Sequence, residues 1–246
     1  MKTLKFTKSF IALVAAVILT TASCKKHDDT IVTPHEDAYG DVILKKMSMM
    51  GQIKYVPIFF AGGEGITEES TVTAPDGTVY PLHSFWAGPG ILTGKGQMKD
   101  VFDFAGEYTF HLKFSDGYEK EVTDVLENVE IDIPHIVQFT RSTPPEAITV
   151  TWTPVEGADL YCIKITELDM ANTKPLFKIP QISKSRNSFT VVFDGGDGWM
   201  RPVSDMERGT EYYFVVAAKK VEEGAEVSGK SHDFQTSSCT KIKFIY

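Results

Sequence analysis

Residues 106–114 alternate strictly between apolar and polar side chains. Tyr108, Phe110, Leu112 and Phe114 fall on one side of an extended chain, with Thr109, His111 and Lys113 on the other. Period-two alternation predicts a half-buried antiparallel strand. Shorter runs repeat the theme. Residues 42–44 and 53–60, rich in β-branched and aromatic side chains, predict two earlier strands, and Gly62-Gly-Glu-Gly65 punctuates the second. Pro75-Asp-Gly77 sits between residues 70–74 and 78–82 as a hairpin turn, and Ser115-Asp-Gly117 turns the chain into residues 119–129. In the second half, residues 147–152 put Ile148, Val150 and Trp152 inward. Residues 160–166 put Tyr161, Ile163 and Ile165 toward a core, leaving Cys162 and Lys164 outward. Residues 188–193 and 206–218 predict two more strands, and Ile242, Phe244 and Tyr246 alternate like one extra strand at an unspecified edge. The expectation is an all-β chain.

The first twenty-four residues follow another rule. Lys2, Lys5 and Lys8 precede a ten-residue apolar run at 10–19. A spanning helix needs about 20 residues, so the run is too short to cross a bilayer and reads as a secretory signal peptide. It ends in Leu19-Thr-Thr-Ala-Ser-Cys24, which resembles a bacterial lipobox, although Thr21 stands where that family prefers Leu. The resemblance implies removal of residues 1–23 and acylation of Cys24, with the acyl chains as the link to the outer membrane. Cys24-Lys-Lys-His-Asp-Asp29 is similar to the tag of surface lipoproteins of Bacteroidota-type bacteria, which implies a lipid-anchored protein facing the cell exterior. Residues 24–37 are polar, contain Pro34 and read as a flexible tether.

Charge narrows the partners. The chain of 246 residues carries a formal net charge of −8. Residues 34–134 hold 17 acids against 7 Lys/Arg, whereas residues 135–246 hold 14 against 13. No basic stripe is available for a phosphate backbone, so nucleic acid is not an expected partner.

Two family resemblances divide the mature chain. Phe104-Ala-Gly-Glu-Tyr-Thr-Phe-His-Leu-Lys-Phe-Ser-Asp-Gly117 resembles the late strands of Ig-like domains of the PKD type, implying a sandwich over residues 38–133. The Trp-Asp-Phe-Gly-Asp pattern of that family is missing. Trp152, together with Met206, Gly209, Thr210 and Tyr212, resembles the strand-B tryptophan and the tyrosine corner of a fibronectin type III domain. This implies a second sandwich over 134–246, with a C-terminal extension beyond about residue 236. Arg208 replaces the usual Pro of the corner. The resemblance also implies that the Tyr212 hydroxyl bonds backbone upstream. Pro134, in Ile133-Pro-His135, cannot donate a ladder hydrogen bond and suits a junction between separately folding halves.

No catalytic constellation emerges. Pro89-Gly-Ile-Leu-Thr-Gly-Lys-Gly96 lacks the first Gly and the final Ser or Thr of a phosphate loop. The six histidines are dispersed. Asp194-Gly-Gly-Asp-Gly198 puts glycines where a calcium loop needs oxygen donors, and reads as a turn. No cofactor, metal site or enzymatic activity is expected. In a sandwich with strand F between C and G, Cys162 and Cys239 lie about 10 Å apart, beyond disulfide reach, unless the tail carrying Cys239 folds back past strand G. The candidate ligand contacts are Trp199, Met200 and Arg201, on a twelve-residue insertion between Phe193 and Met206, with Trp86 as a second aromatic. The alternative for Trp199 is a lid over the sandwich end. The expected function is a non-catalytic surface binding or adhesion module for glycan or protein ligands, with a structural spacer or accessory subunit as the alternative.

Overall fold

Alternation places Tyr108, Phe110 and Leu112 in a fully buried row, with Thr109, His111 and Lys113 only partly covered on the other side, as the sequence pattern requires. The computed structural model describes residues 35–49, 51–84, 90–144, 146–167, 175–225, 227 and 233–246. Cys24 and Trp86 lie outside them. Among the described residues the regular structure is strand, apart from one short 3-10 turn at Val203–Asp205. Asp37–Tyr246 form one compact unit.

The first half contributes β1 (Tyr39–Met49), β2 (Gln52–Gly62), β3 (Thr71–Thr73), β4 (Val79–Pro81), β5 (His83–Ser84), β6 (Ile91–Lys95), β7 (Gly106–Lys113) and β8 (Glu119–Leu126). The second contributes β9 (Ile136–Ser142), β10 (Ala147–Trp152), β11 (Leu160–Thr166), β12 (Phe177–Ser183), β13 (Ser188–Val192), β14 (Glu211–Val221) and β15 (Phe234–Ile245). Both turns read from sequence are present. Ala74 N–H bonds the Thr78 carbonyl at 2.8 Å around Gly77, whose φ of +83° suits glycine, and Phe114 N–H bonds the Tyr118 carbonyl at 3.0 Å.

Three sheets result, in the orders β4-β3-β7-β8, β13-β10-β9 and β12-β11-β14-β15-β1-β2-β6-β5. The chain is therefore an all-β protein of two sandwich layers in tandem. In the second half the three-stranded sheet faces β12-β11-β14-β15, the layout of a fibronectin type III sandwich. Its core gathers Ile148, Val150 and Trp152 from β10 with Tyr161, Ile163 and Ile165 from β11 and Phe214 and Val216 from β14. The first core gathers Val42 and Leu44, Phe59 and Ala61, Val72, Leu92, Tyr108, Phe110 and Leu112. Each half thus has its own apolar centre, formed by residues from its own stretch of chain.

The eight-stranded sheet runs through both halves. β15 pairs antiparallel with β14 and parallel with β1, Leu44 to Met47 lying against Thr236 to Cys239. This revises the expectation of a C-terminal extension. Residues 234–245 are the last strand of the second sandwich itself, and Cys239 lies in its middle. Side chains of β15 also stitch the connection between the halves. Thr236 Oγ1 donates to the Val129 carbonyl at 2.5 Å, Ser238 Oγ to the Asp132 carbonyl at 2.7 Å, and Gln235 Nε2 to the Val125 carbonyl at 3.1 Å. All three residues are buried, and each bond satisfies a donor that would otherwise be stranded away from water.

The same ladder decides the cysteines. Cys162 pairs with Ala217, which pairs with Cys239, so the sulfurs sit on one rung two strands apart, and both thiols are free. Neighbouring strands are about 4.8 Å apart, which puts the pair out of disulfide range. Cys162 does project away from the second core, as the alternation requires, but it is 1 % exposed rather than solvated.

Candidate functional site

The loop after β13 carries three of the expected contact residues, and its geometry corrects their roles. Asp194 Oδ1 accepts the Gly196 N–H at 2.9 Å, an Asx turn that starts the loop and confirms the turn reading of Asp194–Gly198. Gly198 then approaches Phe177 so closely that a Cβ there would lie 2.6 Å from its ring, at a φ of +92°. Trp199 follows, bridged to Phe177, with its ring 5.3 Å from Phe177 and 5.4 Å from Phe193. Its Nε1 donates to the Val192 carbonyl at 3.0 Å. Trp199 is thus a plug on the end of the second core, its rim partners and its one polar atom already engaged, and it is withdrawn as a ligand contact. Arg201 is also committed, to Glu167 at 2.7 Å and Asp205 at 3.1 Å; the hydrogen bonds to these carboxylates raise its pKa further. Met200 remains half exposed, at 50 %.

The corner tyrosine behaves as its motif implies. Tyr212 is buried, and its hydroxyl oxygen accepts the Glu207 N–H at 2.8 Å. The first sandwich holds a counterpart that the sequence did not announce: the Tyr108 hydroxyl donates to the Phe104 carbonyl at 2.8 Å. Residues 91–95 of the apparent phosphate loop are β6. His111 sits on the solvent side of β7 beside Thr73 and Glu121.

Two concave features stand out among the described residues. The larger is an open groove of about 450 Å³ on the first sandwich. Pro57, Pro75, Tyr80, Phe104 and Tyr108 give it apolar walls, while Asp76, Gln97, Lys99 and Asp103 supply polar groups. Tyr80 is partly exposed and rests on Phe59, ring centres 5.3 Å apart. Lys99 is held over the Phe104 ring at 4.7 Å and against Asp103 at 3.1 Å. A backbone N–H from Thr78 lowers the pKa of Asp76 and keeps it ionised. Rings beside fixed carboxylates and an amide form a surface that can stack on and hydrogen-bond a polar ligand. Sequence reading missed it because its residues come from four separate stretches, at 57, 74–80, 97–99 and 103–108.

The smaller is a depression of about 200 Å³ lined by Tyr39, Gly40, Asp41, Asp124, Glu222 and Asp233. One carboxylate oxygen each from Asp41, Asp124 and Glu222 lie within 4.8 Å of one another. Asp124 is anchored, its Oδ2 accepting the Val42 N–H at 2.7 Å and its Oδ1 the Val125 N–H at 2.8 Å. Asp41 is 5 % exposed, and its Oδ2 and the Glu222 Oε1 are buried without a hydrogen-bond partner. Burial, reinforced by Asp124, Glu222 and Asp233, pushes Asp41 up to about 9. Burial and then Asp124, Asp233 and Glu127 push Glu222 up to about 7. The sequence assigned no metal-binding residue, and these four acids are spread from position 41 to position 233.

No protein-family model matches the chain, and no curated protein matches it. Among solved structures it is similar to a two-domain fibronectin type III segment of chicken tenascin, at 15 % identity over 85 % of this chain and 100 % of that one, with a TM-score of 0.30. It is also similar to the FN1–FN3 domains of chicken CNTN1, at 12 % identity over 87 % of this chain and 64 % of that one, with a TM-score of 0.28. The fold assignment rests on the strand order and the corner tyrosine, not on these likenesses. No helix among the described residues is long and apolar enough to cross a membrane.

Proposed function

We propose that the protein is a non-catalytic binding module, held at the outer face of a bacterial outer membrane through acyl chains on Cys24. In this reading it presents the first-sandwich groove to a glycan or a protein ligand. The observation that carries the reading is the groove itself: partly exposed Tyr80 offers a ring, with Asp76, Gln97 and Asp103 around it. Sugars are bound by such a pairing of a stacking face with directed hydrogen bonds, and the openness of the groove suits a chain rather than a small enclosed substrate. The 14-residue tether from Cys24 to Asp37 reaches at most about 50 Å, enough to lift the module clear of the lipid headgroups.

The alternative, a rigid spacer in a larger assembly, is favoured by the sheet that passes through both halves. A screen of the full chain in detergent against glycans and matrix proteins separates the two. Binding that is weakened at least tenfold by Gln97→Ala and lost in Tyr80→Ala supports the groove. Binding that both variants retain moves the site elsewhere, and binding to nothing in the screen favours the spacer. For the anchor, Cys24→Ala is expected to abolish labelling by a palmitate analogue. Equal labelling of the variant and its parent contradicts the lipid link.

A further inference from the structure

The acid depression lies where the two sandwiches meet. Asp41 comes from β1, the first strand of the first half, and Asp124 from β8 of the opposite sheet. Glu222 and Asp233 flank the connection from β14 to β15, and the Glu222 N–H bonds the Asp233 carbonyl at 3.1 Å. A carboxylate is rarely buried without a partner, because desolvating the charge is costly. Asp41 is buried on all but 5 % of its surface, its Oδ2 is unpartnered, and one of its carboxylate oxygens lies within 4.8 Å of one each from Asp124 and Glu222. Glu222 adds a second buried unpartnered oxygen, Oε1. Lys219, the nearby cation whose charge favours ionised Asp41, has its ammonium over the Phe234 ring at 3.7 Å rather than in a hydrogen bond to the carboxylate.

We propose that Asp41, Asp124 and Glu222, with Asp233 beside them, bind a calcium ion that pins the start of the first sandwich to the far end of the second. The donors are all carboxylate oxygens, which select a hard cation over zinc or copper. One oxygen from each of the three carboxylates lies within 4.8 Å of the others. Calcium accepts such oxygens in flexible geometry, whereas magnesium demands a near-ideal octahedron and resists giving up its waters. The ion supplies Asp41 Oδ2 and Glu222 Oε1 with the partner that protein groups do not.

The test uses the full chain in detergent, stripped with a chelator. Calcium titrated in a calorimeter is expected to show one site with a Kd between about 10⁻⁵ and 10⁻³ M, the span from sensor to extracellular sites. Calcium is also expected to raise the melting temperature. Terbium is expected to give luminescence sensitised by Tyr39. Magnesium at equal concentration is expected to do neither. Asp41→Asn should abolish calcium uptake while melting, free of calcium, at or above the parent's temperature, and Glu222→Gln should weaken uptake at least tenfold. No calcium uptake by the parent, or uptake that survives both substitutions, overturns the proposal. So does a melting temperature that calcium leaves unchanged.

Discussion

The two sandwiches are locked by tyrosines used in opposite senses. In the second, the Tyr212 hydroxyl accepts a backbone N–H from Glu207; in the first, the Tyr108 hydroxyl donates to the carbonyl of Phe104. Their cores differ in the same spirit. The second is centred on Trp152, edge-on to Tyr161 at 5.2 Å, and the first on Phe59, which touches Tyr80, Tyr108 and Phe110. One half follows a pattern whose marker residues sit at fixed offsets along the chain. The other reaches a comparable result with rings drawn from three strands, β2, β4 and β7. Local markers make a domain recognisable, whereas burial and satisfied polar groups make it stable, and the two need not coincide.

The largest expected effect tests the second core. Trp152→Ala should cost roughly 3–5 kcal/mol in denaturant unfolding. The buried Trp152 Nε1 lacks a partner, so Trp152→Phe should cost clearly less than Trp152→Ala, since it removes that orphan donor and keeps a ring. Because one sheet passes through both halves, near- and far-ultraviolet signals should fall in one coincident transition. Two transitions would mean that the halves are energetically separate.

Trp199→Ala comes next, at about 2 kcal/mol for a partly buried ring that also closes a hydrogen bond. Its melting temperature should drop while any ligand found by the groove remains bound. Unchanged melting with lost binding would restore Trp199 to the contact surface. The tyrosine pair then sharpens the contrast directly. Tyr212→Phe strands an N–H and Tyr108→Phe a carbonyl; each should cost about 1–2 kcal/mol, with the stranded N–H the more costly. Equal losses, or the reverse order, would show that the polarity of the lock is immaterial. Ser238→Ala, which removes the bond to the Asp132 carbonyl, should cost about 1 kcal/mol, read by the same denaturant curves.

What was legible in the sequence was short-range. Alternation in residues 106–114 and 147–152 gave strands and inward faces because a strand's side-chain period is fixed by the backbone. The Met206 to Tyr212 corner was legible because a turn and its hydroxyl partner lie five residues apart. The pairing of β1 with β15 was not: Leu44 meets Thr236 across 192 positions, and nothing near either residue encodes the other. Both concave sites fall in the same class. Asp41, Asp124 and Glu222 each look like ordinary surface acids until the fold sets them side by side, and Tyr80 and Gln97 share a groove only through strand pairing. Trp199 misled for a related reason. A loop rich in glycine looks open, but here Gly198 lets the chain pass close enough to Phe177 for the indole to turn inward.

The position of β1 has a mechanical meaning. A pull on the chain ahead of Tyr39 enters the sheet along the axis of β1, which is flanked on one side by the eleven antiparallel pairs of β2 and on the other by the parallel rungs of β15. Ladder bonds lie across the strand, so a load along it stretches many of them at once instead of opening them one after another. A strand in that position yields by shearing, which is the stronger mode. A load on the chain ahead of Tyr39 would therefore meet its greatest resistance at β1, with β15 serving as its outer clamp.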